Sequence, residues 1–113
     1  MKYRLPAVGR NTKLDLLTLF QGINFQEFEG TLPVPALSWN SRLRTSAGRF
    51  IPGGRKWGFL KAHKPTIEIA TYLLKEEQAE SLIYSTLAHE MVHYWLWFRG
   101  RPHGHTREFL EKM

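Results

Sequence analysis

Residues 85–113, STLAHEMVHYWLWFRGRPHGHTREFLEKM, hold four of the chain's five histidines, and their reading decides how the rest of the sequence is placed. His89 and His93 are four residues apart, so a helix here sets both imidazoles on one face at a spacing that suits a single ion. Glu90 is displaced by one position, as suits a carboxylate that stands beside the ion without ligating it. In such a site zinc lowers the pKa of a water towards neutrality, and the carboxylate takes its proton as the water attacks a peptide carbonyl. The H-E-x-x-H pentapeptide alone is only moderately specific, because a helix can also carry two histidines and a solvated glutamate on a polar edge. The surroundings weigh against that. Leu82, Ile83, Thr86, Leu87, Val92, Trp95 and Leu96 give the segment from about Glu76 a wide apolar surface, where polar side chains are costly without a metal or hydrogen-bond partners.

A catalytic zinc takes three protein ligands and keeps one position open. The longer pattern H-E-x-x-H-x-x-G-x-x-H fails, since Leu96 stands where its glycine would be and Arg99 where its third histidine would be. Glu108 and Glu111 are chemically able, but His103 and His105 are nearer. The helical run ends before Gly100, and His103 sits beside Pro102 in the turn that follows; His105 is at the mouth of a last helix that Thr106 can cap. Spacing alone leaves both open. His63 lies far off in a basic loop and is expected to be exposed.

Upstream, "PTIEIA" alternates Ile67 and Ile69 with Thr66 and Glu68, the pattern of a half-buried strand. Leu37 and Trp39, then Leu43, are also spaced like strand residues around a turn at "NSR", and "IPGGRKWGF" predicts a glycine-rich loop or hairpin tip. Near the start, Asn11 or Thr12 can cap a helix with apolar Leu14, Leu16, Leu17, Leu19, Phe20 and Ile23, continuing towards Phe25 and Phe28 and stopped by Gly30. The expected order is helix, two or three strands, long helix, short helix. At 113 residues the chain is expected to be a single α+β domain over residues 1–113. It has no cysteine, which excludes a disulfide framework or a thiolate zinc knuckle and points to an intracellular protein. No segment has the length of a membrane span, and no membrane partner is expected.

Beyond these patterns, "LFQGINFQEFEGTLP", "LSWNSRLRTSAGR", "IEIA" followed by "YLL", "TLAHEMVH" and "GHTREF" resemble, over nearly the whole chain, successive segments of the SprT-like family, which includes bacterial SprT and the eukaryotic protease Spartan. The resemblance implies a small zincin-like metalloprotease fold, with the long H-E-x-x-H helix packed on a short, about three-stranded sheet and flanked by the other helices. It also implies the third ligand, because the family's ligating histidine stands four residues before the phenylalanine that matches Phe109. His89, His93 and His105 are then the ligands of one zinc ion per chain, with Glu90 as general base and His103 beside them or in solvent. Two positions depart from the pattern: Thr106 replaces the glycine that usually follows the third histidine, and the interval from His93 to His105 is shorter than in Spartan.

The family further implies proteolysis of proteins bound or crosslinked to DNA. The chain carries a formal charge of +6, and between Ser41 and Lys64 there are seven basic residues and no acidic one. Arg49, Arg55, Lys56, Lys61 and Lys64 suit phosphates, and Trp57 or Phe59 suits stacking on unpaired bases, so single-stranded or partly unpaired DNA is an expected partner beside the protein substrate. A solvated basic hairpin would have the same composition. Trp39 and Trp95 are expected in the core, and Trp97 in the core edge or the cleft; Arg99, Arg101 and Arg107 are nearby cations for an oxyanion. The expected enzyme is a monomeric zinc metalloendopeptidase with a cleft for unstructured segments. The alternatives are a non-proteolytic, zinc-stabilised DNA-binding module, which would not need Glu90, and a zinc protease indifferent to DNA.

Overall fold

The computed structural model describes residues 15–54 and 63–113. Helix α1 (Leu16–Glu27) begins where the Asp15 side chain accepts a hydrogen bond from the Leu17 N–H (3.0 Å), satisfying one of the donors left free at a helix start. The caps expected at Asn11 or Thr12, and Leu14 with them, lie outside the described residues. Leu16, Leu19, Phe20 and Ile23 form a buried stripe. Leu17 and Phe25, expected to share it, do not: at 100° per residue they fall off that stripe, and Phe25 is 79% exposed. Buried Asn24 then pins the chain leaving the helix, its amide donating to the Leu32 carbonyl (2.9 Å) while its oxygen accepts from the Leu32 N–H (3.2 Å).

Three strands form one mixed sheet in the order β1-β3-β2: β1 (Ala36–Asn40) runs parallel to β3 (Thr66–Ala70), and β2 (Gly48–Ile51) runs antiparallel to it. Ile67 and Ile69 of the central strand are fully buried and Glu68 faces the other way, as the alternation predicts. Leu43, expected in a strand, is in the β1–β2 loop instead. Asn40 ends β1 by accepting a hydrogen bond from the Arg42 N–H (2.8 Å), a side-chain turn that leaves the ladder. Gly54 and His63 exchange backbone hydrogen bonds (3.1 and 3.3 Å) in an isolated antiparallel bridge, and the rest of the expected glycine-rich loop or hairpin tip lies outside the described residues.

After β3 the chain makes a 3-10 turn (Thr71–Lys75) and enters α2 (Ala79–Phe98), three residues later than the periodicity suggested. Ile83, Leu87, Met91, Val92, Tyr94 and Leu96 are buried, and α2 packs on β2, β3, α1 and the last helix, α3 (Arg107–Lys112). One contiguous apolar cluster joins all of these elements, with Trp39, Trp95 and Trp97 half-buried against it. Gly100 (φ 70°) ends α2: its N–H donates to the Trp97 carbonyl and that of Arg101 to Leu96 (both 2.9 Å), a closure that turns the chain back along the helix. No helix among the described residues is long and apolar enough to cross a membrane.

Candidate metal centre

The return of the chain after Gly100 is what brings a third histidine to α2. Thr106 caps α3 by accepting a hydrogen bond from the Phe109 N–H (3.3 Å), so His105, one residue earlier, is fixed at the entrance of the helix. Its Nε2 lies 3.2 Å from Nε2 of His89, and Nε2 of His93 lies 3.3 Å from the same atom. The ligand atoms of all three lie within 4.8 Å of one another. A tetrahedrally held ion about 2.1 Å from each nitrogen needs them roughly 3.4 Å apart, so the trio fits a metal with little movement. Phe109 forms the floor, its ring centre 4.9, 4.5 and 4.8 Å from those of His89, His93 and His105.

The protonation states agree with a ligand role. His93 Nδ1 is 2.5 Å from the His103 carbonyl oxygen; an N–H there donates to it and leaves the Nε2 lone pair turned to the other histidines. Burial, then repulsion from His93 and His105, lowers the pKa of His89. Burial also lowers that of His93, against the opposing pull of the His103 carbonyl and together with His105 and His103. Neutral imidazoles are the form that binds metal.

Glu90 is 7% exposed, on the next position of the helix, and burial raises its pKa to about 7. The side chain therefore both holds and gives up a proton near neutral pH. It borders two connected hollows of about 340 and 380 Å³ that share Gly48, His89 and Glu90 and run between α2 and edge strand β2. Gly48 is required for this approach, since a Cβ there would stand 2.8 Å from Thr86 Cγ2 and 2.9 Å from the Glu68 carbonyl oxygen. A larger concavity of about 490 Å³, lined by Arg44, Tyr72 and Lys75 among others, lies away from the histidines.

Residues 16–113 match the SprT-like family model. The chain belongs to the SprT-like family. It is similar to SprT-like proteins of Streptococcus agalactiae (28% identical over 107 residues, 91% of this chain and 62% of the relative), Streptococcus equi subsp. zooepidemicus (33% over 76 residues, 67% and 45%) and Streptococcus pyogenes (36% over 74 residues, 65% and 43%). The chain thus spans about three-fifths of the first relative's length and under half of the other two.

Within this SprT-like chain the structure brings together His89, His93, His105 and Glu90, and leaves His63 exposed and outside the cluster. Arg49 of the basic set is engaged. On the sheet face opposite α2 it hydrogen-bonds Glu68, which also accepts from Asn40 Nδ2 (3.0 Å). Burial opposes ionisation of Glu68, but these two donors prevail and hold its pKa below the ordinary carboxylate value. Lys64 is exposed; Arg55, Lys56, Trp57, Phe59 and Lys61 lie outside the described residues. Two features of the centre were missed from sequence: the Phe109 floor and the His103 carbonyl. The first carried a signal, the His105-to-Phe109 spacing across a helix cap; a backbone carbonyl carries none.

Proposed function

We propose that this SprT-like chain is a zincin-type zinc metalloendopeptidase that binds one zinc ion through His89, His93 and His105 and uses Glu90 as general base. The observation that carries this reading is the convergence of three imidazole nitrogens beside a buried carboxylate in an open cleft. A donor set of three neutral histidines suits zinc, which supplies Lewis acidity and brings a water's pKa towards neutrality. Glu90 accepts the proton of the water that attacks the peptide carbonyl carbon and then delivers it to the leaving nitrogen, so the products are a carboxylic acid and an amine. Its pKa near 7 matches both halves of that transfer. The His103 carbonyl and the Phe109 ring hold the imidazoles in place throughout. Because the cleft is shallow and edged by β2, it suits an extended, unstructured segment.

Coupling to DNA, with proteins bound or crosslinked to single-stranded or partly unpaired DNA as substrates, is the finer part of the proposal. The charge of +6 and the acid-free run from Ser41 to Lys64 support it. One assay tests both parts. The zinc-loaded chain is expected to cleave casein and a DNA-binding protein; Glu90→Gln is expected to retain zinc and lose activity by about 10²–10⁴-fold. Single-stranded DNA at low salt is expected to accelerate cleavage of the DNA-binding protein, and charge reversal at Arg55 and Lys56 to remove that effect. Cleavage untouched by Glu90→Gln would refute the hydrolytic role; cleavage indifferent to DNA would refute the coupling alone.

A further inference from the structure

Hydrolysis of a peptide leaves negative charge on the carbonyl oxygen as its carbon becomes tetrahedral, and a donor aimed at that oxygen is a large catalytic contribution. The three arginines nearest in sequence are engaged. Arg99 lies over the Trp95 ring (4.5 Å), Arg101 pairs with Glu108 (2.6 Å) and Arg107 with Glu111 (3.3 Å). Arg49, on the rim, bonds Glu68 on the far face of the sheet. Ser46, Ser85 and Thr86 line the arm of the cleft that holds His89 and Glu90 but neither His93 nor His105.

His103 lines the other arm, with His89, Glu90, His93 and His105. It is half-buried, and its ring nitrogens form no hydrogen bond among the described residues. It lies outside the three-histidine cluster. Its placement is nevertheless fixed: its carbonyl is held by His93, its ring stands edge-on to Phe50 of β2 (6.1 Å), and Pro102 restricts the backbone before it. An imidazole carries at least one N–H in either protonation state, so it donates without needing to titrate.

Resting on the hydrolytic reading above, we propose that the His103 imidazole donates a hydrogen bond to the oxygen of the carbonyl under attack. The same residue then serves the site twice, its carbonyl orienting His93 and its side chain closing on the substrate from the arm opposite the hydroxyls.

The test uses the zinc-loaded full chain, His103→Leu, which keeps the apolar contact with Phe50, and His103→Gln, which keeps an N–H donor. Casein cleavage, zinc content and calorimetric binding of a phosphinic peptide, a mimic of the tetrahedral state, are measured together. The expected result for His103→Leu is a fall in kcat of about 10²-fold with KM little changed, and a parallel loss of phosphinic-peptide affinity. Zinc should stay at the wild-type level, and His103→Gln should recover part of the loss. An unchanged kcat, a change in KM alone or loss of zinc from His103→Leu would overturn the assignment while leaving an active wild type, and hence the hydrolytic reading, intact. A zinc-loaded wild type that neither cleaves casein nor binds the phosphinic peptide would overturn both.

Discussion

Glu90 is a carboxylate kept in a place that disfavours its charge, and the fold carries the cost. Its pKa is raised from an ordinary 4.5 to about 7, so between those values the folded chain holds a proton that the unfolded chain has released. Stability from this group is present at low pH and is lost as pH rises through about 7. At pH 8, above both values, the penalty is about 3 kcal/mol. Glu90→Gln removes the penalty: the metal-free variant is expected to unfold at higher urea concentration than metal-free wild type at pH 8, with the difference shrinking towards pH 4.5. An equal midpoint at both pH values would mean that Glu90 is not buried as described. His89 and His93 act with the opposite sign, since their lowered pKa values mean that the unfolded chain takes protons first as pH falls through about 6.5. The pairing of histidines and glutamate was legible because four residues make about one helical turn. The burial of Glu90 was not, because β2 closes over α2 through a long-range approach, Gly48 against Thr86, 38 positions apart.

At the scale of elements, the site depends on α3, a helix of six residues that has little stability of its own. Its anchors are Phe109 under the histidines and Lys112, whose Nζ donates to the Glu27 carbonyl at the end of α1 (2.6 Å) between the Phe28 and Trp95 rings (4.7 and 5.1 Å). A cation on the last carbonyls of a helix and over two rings contributes about 1–2 kcal/mol. Lys112→Met keeps the stem and removes the charge. It is expected to lower stability by that amount and to weaken zinc binding, because the element presenting His105 is less firmly seated; unchanged zinc affinity with lowered stability would separate α3 docking from the site. The Lys112 anchor joins residues 85 positions apart, so no periodicity announces it. What periodicity did announce were the elements with a single buried face: β3 through Ile67 and Ile69, α1 through Leu16, Leu19, Phe20 and Ile23, and the breadth of α2. It misplaced Leu43, Leu17 and Phe25, the first because an Asn40 side-chain turn ends the strand, the other two because an apolar residue on an amphipathic helix can still face water.

For the molecule as a whole, one apolar cluster carries two kinds of chemistry on its surface. The cleft between β2 and α2 gathers the histidines, and of the basic stretch Arg42 and Arg44, in the β1–β2 loop, and Lys64, just before β3, are exposed. In the proposed coupling, exposed cations of this stretch would hold an anionic strand while a substrate protein occupies the cleft. Arg49 is the exception, since its bond to Glu68 staples β2 to β3. The family was legible because its motifs are spread along the chain, from "GTLP" to "GHTREF"; the conformation that brings His105 to His89 across the Gly100 turn was not, since a glycine marks a turn without giving its direction.

That convergence is the central claim, and metal content tests it most directly. Zinc per chain would be measured by elemental analysis on wild type, His105→Ala and His103→Ala after zinc loading and exhaustive dialysis. One zinc in wild type and in His103→Ala, with loss in His105→Ala, is the result the proposal predicts. No zinc in wild type, or zinc retained by His105→Ala and lost from His103→Ala, would contradict it.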